Sequence, residues 1–381
     1  MRYKIAIITA TRAEYGLLSP LIRAVDHDTD LSLDLIVTGM HLSEKFGHTI
    51  DEIIADGFDI SYRIPILEDD NSPHGISVTM ANAITRFADC FRDAGPDMVV
   101  ILGDRTELLG IAAAAMNEMI PIAHIHGGEV TEGAVDDCVR HALSKMSYLH
   151  FASTETYRQR IIRMGEHPDR VYNVGSLGTE NILHAKLMSE SEVRSDIGIP
   201  NEMPYAVVTF HPVTLDSGDA VRQVRELCDA MSDSPEYFYL ITMSNADAGG
   251  DKINEIMNRY AQENDHAKLA ASLGMIRYLS TIKYASFVMG NSSSGVIEAP
   301  VLGTPTVNIG DRQRGRIMAD TVIQASSERY SISSAMGRAA AMEHTPSRLF
   351  GDGDTSGQIV DIIKDYLIND RIDLKKGFYD S

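Results

Sequence analysis

Short apolar runs that alternate with longer amphipathic stretches constrain this chain more than any other feature. Runs at 4–10, 33–38, 98–102, 121–125, 149–152 and 171–174 have the length and bounds of buried strands. Between them, 15–25, 76–93, 107–117, 135–146 and 156–164 carry apolar residues at helical spacing. A strand buried on both faces reads as a continuous apolar run, and parallel neighbours need a crossover, usually a helix. The pattern predicts an α/β chain of βαβ units in a doubly wound parallel sheet. A second series follows at 205–210, 237–242, 287–289 and 306–309, again with helices between. We therefore expect two Rossmann-like domains, 1–174 and 175–357, divided where Gly, Ser and Pro interrupt a polar helical stretch. By fold analogy, a final helix near 358–368 leads the segment 358–381 back to the first domain. Two such halves facing each other place a ligand cleft at the carboxyl ends of both sheets.

Charge narrows the partners. The chain of 381 residues carries 54 acidic against 34 basic side chains, a formal net charge of -20. Nucleic acid and anionic membranes both need a basic face, so neither is expected as a partner. A small anionic ligand remains compatible, because a local arginine cluster overrides the global sign. Cys90, Cys138 and Cys228 are scattered without metal-type spacing, which predicts a reducing compartment and no disulfide framework. Met1 leads almost directly into a strand-like run, too short for a signal peptide, and no apolar stretch has transmembrane length. A cytoplasmic protein is the expectation.

The chemistry-bearing segments fall at strand ends. At 287–298 an apolar run stops at Gly290, followed by Asn291, Ser292, Ser293, Ser294, Gly295 and, three residues on, Glu298. A strand turning into a helix presents free N–H groups that favour phosphate, and Glu298 can accept hydrogen bonds from two sugar hydroxyls. The same serines and acid also read as ordinary helix caps. Position 295, where a capping box would put Ser or Thr, is Gly, which suggests close approach of the backbone to a ligand. After the first strand, Arg12 is either a diphosphate clamp or a solvated loop cation. After the run 98–102, Asp104 is either a reacting carboxylate or an N-cap with Glu107 three residues on. The segment 123–141 is the richest, with His124, His126, Gly127, Gly128, Glu129, Asp136, Asp137, Arg140 and His141. On an extended strand His124 and His126 share a face, with the two glycines bringing backbone close to whatever lies there. A His-x-His pair raises zinc, but no Cys joins it, and acid–base chemistry is the better account; no metal is expected. Asp136 and Asp137 also suit a helix N-terminus. In the second half His211 ends a strand before Pro212, the loop 244–251 suits ligand hydroxyls, and Arg312, Arg314 and Arg316 form a local basic cluster.

Taken in order, these segments resemble a known family. ATRAEYG at 10–16, GDRTE at 103–107, HIHGGEVTEGAVDDCVRH at 124–141, GNSSSGVIE at 290–298 and GDRQRGR at 310–316 are similar to hydrolysing UDP-N-acetylglucosamine 2-epimerases. Residues 153–157, 173–181, 210–215 and 244–251 extend the likeness over almost the whole chain, nearest to the bacterial enzymes of sialic acid capsule synthesis. The resemblance implies a glycosyltransferase-B type fold. The implied reaction turns UDP-N-acetylglucosamine and water into N-acetylmannosamine and UDP, by anti elimination to a 2-acetamidoglucal and hydration with inversion at C2. It implies no cofactor and no metal, and a homodimer or homotetramer. Carried over by position, Arg12, His211, Asn291, Ser292, Ser293, Glu298 and Arg312 hold the UDP-sugar, with Arg105 a further substrate-binding residue that also orients carboxylates, as Arg140 does. Asp104, Glu129 and Asp136 do the acid–base work, with His126 and His41 as further candidates. Some family members carry Glu where this chain has His126 and are one residue shorter before the Asp pair, so either His126 or Glu129 fills that role. A similar enzyme class acts on a diacetamido-trideoxy sugar nucleotide for legionaminic acid. A glycosyltransferase and a non-catalytic nucleotide-sugar-binding protein are the other readings; a binder gains little from several desolvated acids.

Overall fold

The computed structural model describes residues 2–70, 72–130, 135–212, 220–244, 250–270 and 273–380. The chain divides into two compact units, Met1–Asn181 joined by Phe350–Ser381, and Ile182–Leu349. The divisions thus fall at 181/182 and 349/350 rather than at 174/175 and 357/358. Gly175 shows the reason. A Cβ there would stand 2.8 Å from Gly351 Cα, and the next residue, Ser176, donates its N–H to the Phe350 carbonyl at 2.7 Å. The small residues mark a close crossing of outgoing and returning chain, not a linker. Beside that crossing, the buried Glu180 carboxylate accepts from the Ser356 N–H at 2.7 Å and from its hydroxyl, so the helix Thr355–Ile368 starts on a negative charge that complements its dipole.

In the first unit seven parallel strands, β1 (Tyr3–Thr9), β2 (Leu31–Thr38), β3 (Tyr62–Ile64), β4 (Met98–Leu102), β5 (Ile122–Ile125), β6 (Leu149–Ala152) and β7 (Val171–Asn173), lie in the order β3-β2-β1-β4-β5-β6-β7. Alternation along β1 feeds two cores. Ile5 and Ile7 join Leu18 and Leu21 of helix Arg12–His27 and Ile359 and Ile363 of helix Thr355–Ile368. Ala6 and Ile8 join Phe87 and Phe91 of helix Pro73–Ala94 and Ile111 of helix Thr106–Asn117. Each fully buried isoleucine contributes about 1.5–3 kcal/mol, so β1 anchors both layers.

The second unit holds β8 (Tyr205–Thr209), β9 (Phe238–Thr242), β10 (Ala267–Ala270), β11 (Phe287–Gly290), β12 (Thr306–Ile309) and β13 (Val322–Ala325), also parallel, in the order β10-β9-β8-β11-β12-β13. Ala206 and Val208 face helices Ala220–Ser232 and Arg329–Ala340, while Tyr205 and Val207 face helix Gly274–Tyr284. The apolar runs predict neither β3, β10 nor β13. All three are edge strands with only part of their residues buried, so their apolar runs are broken. In each sheet the strand order reverses beside the first strand, between β1 and β4 and between β8 and β11. Ligands of open α/β sheets bind outside the carboxyl ends of strands at such points. No helix among the described residues is long and apolar enough to cross a membrane.

Candidate active site

At the first reversal, β1 ends and Thr11 caps helix Arg12–His27. Glu14 reaches back from that helix, its Oε2 accepting from the Ala10 N–H at 3.0 Å and from the Thr11 hydroxyl at 3.2 Å. Burial pushes the Glu14 carboxyl up to about 7, against the opposing pull of Arg105. Arg12 stands exposed at the strand end with Nε 3.0 Å from Glu52. His41 is fully buried, with Nε2 3.0 Å from the Thr9 hydroxyl and Nδ1 2.8 Å from that of Thr49. Burial holds it down at about 4, as a neutral imidazole that fastens the turn after β2 to the end of β1. Both ring nitrogens of His41 are thus engaged inside the fold.

After β4, Arg105 and not Asp104 occupies the cap position of helix Thr106–Asn117. Asp104 instead pairs with the buried guanidinium of Arg140. The same guanidinium donates through Nη1 to the Glu129 carbonyl at 2.9 Å and to Asp137 Oδ1 at 3.3 Å. Arg140 thus ties together the turn after β4, the loop after β5 and the first turn of helix Val135–Met146. Arg105 donates through Nε to buried Glu107 at 2.6 Å.

His124 lies inside β5, Nε2 2.7 Å from the Gly103 carbonyl and Nδ1 3.3 Å from the Ser144 hydroxyl, and burial pushes it down to about 3. The strand stops at Ile125, and His126 takes a left-handed backbone with φ 62°, so the two histidines do not continue along one strand face. The His126 N–H donates to the Phe151 carbonyl at 2.9 Å. Glu129 Oε1 accepts the Ser153 hydroxyl at 2.9 Å and stands 4.0 Å from His126 Nδ1. The two glycines let this loop lie against neighbouring protein: a Cβ on Gly127 would stand 2.9 Å from Ser144 Oγ, and one on Gly128 would collide with the Tyr157 carbonyl. Asp136 and Asp137 lie in the first turn of the next helix, Asp136 exposed. Residues 131–134 lie outside the described part.

At the second reversal His211 and Asn291 clasp each other. The His211 N–H donates to Asn291 Oδ1 at 2.7 Å, and Asn291 Nδ2 donates to the His211 carbonyl at 2.8 Å. Gly290, with φ 133°, permits this approach, because a Cβ there would run into the Thr209 carbonyl. The His211 ring lies 3.3 Å from the Ser244 hydroxyl. Arg312 Nη1 and Gln313 Nε2 both donate to the Asn291 carbonyl, at 3.2 and 2.9 Å. Arg314 and Arg316, grouped with Arg312 in the sequence, are exposed. The expected helix start is broken in two: Ser292 caps Ser293–Val296, and a second short helix, Glu298–Leu302, begins after Ile297. Gly295 packs closely on β12, where a Cβ would lie 2.9 Å from the Thr306 methyl group. Burial raises the Glu298 carboxyl above its ordinary range. Most of the hydroxyl-binding loop expected at 244–251 lies outside the described residues, at 245–249, as do residues 213–219.

Residues 23–364 match the protein family described as UDP-N-acetylglucosamine 2-epimerase. The chain belongs to this family of enzymes. It is 41% identical over 323 residues, 84% of each chain, to a GDP/UDP-N,N'-diacetylbacillosamine 2-epimerase (hydrolyzing) of Campylobacter jejuni. It is 37% identical to the polysialic acid biosynthesis protein P7 of Escherichia coli, over 99% of this chain and 97% of that one. The crystal structure of UDP-GlcNAc 2-epimerase from Neisseria meningitidis bound to UDP-GlcNAc has the same fold, with a TM-score of 0.76 at 17% identity over 94% of this chain and 99% of that one. The two doubly wound sheets are of the glycosyltransferase-B type. In this epimerase-family chain, sequence reasoning gives Glu14 and Ser153 no role of their own. The spacing Thr11-x-x-Glu14 is a capping-box signal that could have found the first. Ser153 reaches Glu129 from the end of a neighbouring strand, which no local pattern records. Among the described residues no three His, Cys, Asp or Glu side chains gather as a metal site requires.

Proposed function

We propose that this epimerase converts UDP-N-acetylglucosamine and water to UDP and N-acetylmannosamine, for sialic acid synthesis, by anti elimination to a 2-acetamidoglucal followed by hydration. The observation that carries the proposal is the gathering of Asp104, His126, Glu129 and Asp137 around or beside Arg140 at the carboxyl ends of β4 and β5, in a chain of this family. Elimination breaks a C–H bond at C2, and hydration needs a proton donor, so several acid–base groups in one place suit both steps. Asp104, Asp136 and the His126–Glu129 pair take that role. The departing diphosphate needs preorganised donors. Arg312, Ser292, Ser293, His211 and Asn291 supply them in the second unit, where Glu298 accepts from the ribose hydroxyls.

The 41% identity to the Campylobacter relative favours a second substrate, the UDP-linked diacetamido sugar. Proton NMR in heavy water tests the main reading. UDP-N-acetylglucosamine should yield UDP and N-acetylmannosamine deuterated at C2; UDP-N-acetylmannosamine alone, or no turnover, would defeat it. Competition between the two donors decides the substrate, and a clear excess of kcat/KM for the diacetamido sugar would install the second reading.

A further inference from the structure

Inversion at C2 through an unsaturated intermediate makes a demand that one proton-transfer group does not meet. The old proton leaves from one face of the sugar and the new one arrives on the other, so two groups must serve opposite sides. The loop after β5 and the helix that follows it hold two carboxylate–imidazole pairs of the same construction. In one, Glu129 Oε1 stands 4.0 Å from His126 Nδ1 and is itself held by Ser153. In the other, Asp137 Oδ2 stands 3.4 Å from His141 Nε2. The far nitrogen of each ring, Nε2 of His126 and Nδ1 of His141, is buried without a hydrogen-bond partner. Such atoms are rare in folded proteins, and a bound reactant would explain them. The two pairs belong together, because one nitrogen of Arg140 bonds both the Glu129 carbonyl and the Asp137 carboxylate.

The other histidines near these strands differ. His41 and His124 have both nitrogens bonded inside the fold. His150 also leaves Nδ1 unpartnered, but its side chain is wholly enclosed, whereas those of His126 and His141 keep 15% and 30% of their surface.

We propose that His141 is a second proton-transfer residue of the reaction, serving the face of C2 opposite to that served by His126, with Asp137 and Glu129 as their positioning residues. The proposal rests on the elimination–hydration reading above. One imidazole takes the C2 proton on its unpartnered nitrogen; the C–H electron pair becomes the C1–C2 double bond, and the C1–O pair leaves with UDP. The other, protonated beforehand, gives its proton to the opposite face of C2 while water oxygen bonds to C1, then takes back a proton from that water. The first imidazolium loses its proton to solvent, so one proton is released with each UDP. The Asp137 carboxylate at 3.4 Å favours hydrogen on Nε2 of His141, while that of Glu129, at 4.0 Å, acts on His126 through its charge.

Two half-reactions test this: UDP release from UDP-N-acetylglucosamine, and hydration of supplied 2-acetamidoglucal in the presence of UDP. His126→Gln and His141→Gln should each lose about 100-fold or more in one half-reaction and only about threefold in the other, with opposite halves affected. No loss in His141→Gln, loss of both halves with UDP affinity intact, or loss of the same half by both variants would each overturn the proposal. Asp137→Asn covers the case in which His141→Gln does not fold. It should shift the pH profile of the half-reaction that His126→Gln spares, and unmoved profiles would overturn the assignment. A wild-type enzyme that releases no UDP from either donor would instead defeat the functional reading.

Discussion

A carboxyl group buried without a cation bonded to it favours its neutral form, and Glu14 shows this at the end of β1. Burial moves it from 4.5 to about 7. Below the lower value neither the folded nor the unfolded chain is charged there; between the two, the unfolded chain ionises first. The stability associated with Glu14 is therefore present in acid and lost as pH rises through 7, by up to about 3 kcal/mol. Glu14→Gln keeps an acceptor for the Ala10 N–H and removes the titration. Its melting temperature relative to the parent should climb between pH 5 and pH 8, and a difference that stays flat would refute this account. Arg312→Ala should weaken UDP binding by about 1.5–3 kcal/mol in calorimetry, as expected for hydrogen bonds to charged groups; unchanged affinity would remove Arg312 from the site. At this scale the sequence discloses residue types at strand ends, such as Asp104, but not their partners. Arg140 pairs with Asp104 from 36 positions away, and local spacing holds no record of such a contact. Likewise His126 looks like a strand residue until the structure shows its left-handed turn.

Secondary-structure elements follow burial. The inner strands β1, β4, β5, β8 and β11 are legible because both faces are covered and the apolar runs are continuous. The edge strands β3, β10 and β13 hide because one side faces less protein. The segment after Ser292 reads as one helix from its composition, yet the Ile297 backbone swings out to φ −115° and Pro300 brings no N–H to continue it. Helix Thr355–Ile368 begins on Glu180, a residue far away in sequence. Glu180→Gln keeps the shape and removes the charge beside the helix N-terminus. We expect a loss of about 1–2 kcal/mol in chemical denaturation, and a loss below experimental error would show the charge to be idle there.

Across the whole molecule, two units with separate cores need not stand or fall together. In the first unit, Glu166 is buried among Lys145, His150 and Lys376. Burial opposes its charge, yet hydrogen bonds from these neighbours hold the carboxyl down at about 2. Lys376 also donates to the carbonyls of Lys145 and Ser147 at 2.7 Å, which fastens the segment after helix Thr355–Ile368 to the amino end of β6. Lys376→Ala should destabilise this unit by about 1.5–3 kcal/mol. Hydrogen exchange should then quicken in β6 and not in β8; equal quickening in both, or none, would contradict the division. The division also bears on the order in which the protein is made. The chain leaves the first unit at Asn181 and returns at Phe350, so the whole of Ile182–Leu349 emerges from the ribosome before helix Thr355–Ile368 exists. The six-stranded half is free to fold during synthesis, since domains generally fold as units. The seven-stranded half must wait for Ile359, Ile363 and Tyr366 to close the layer beneath β1. A chain cut short before Thr355 would carry every candidate acid–base residue and still lack the core on which their strands rest.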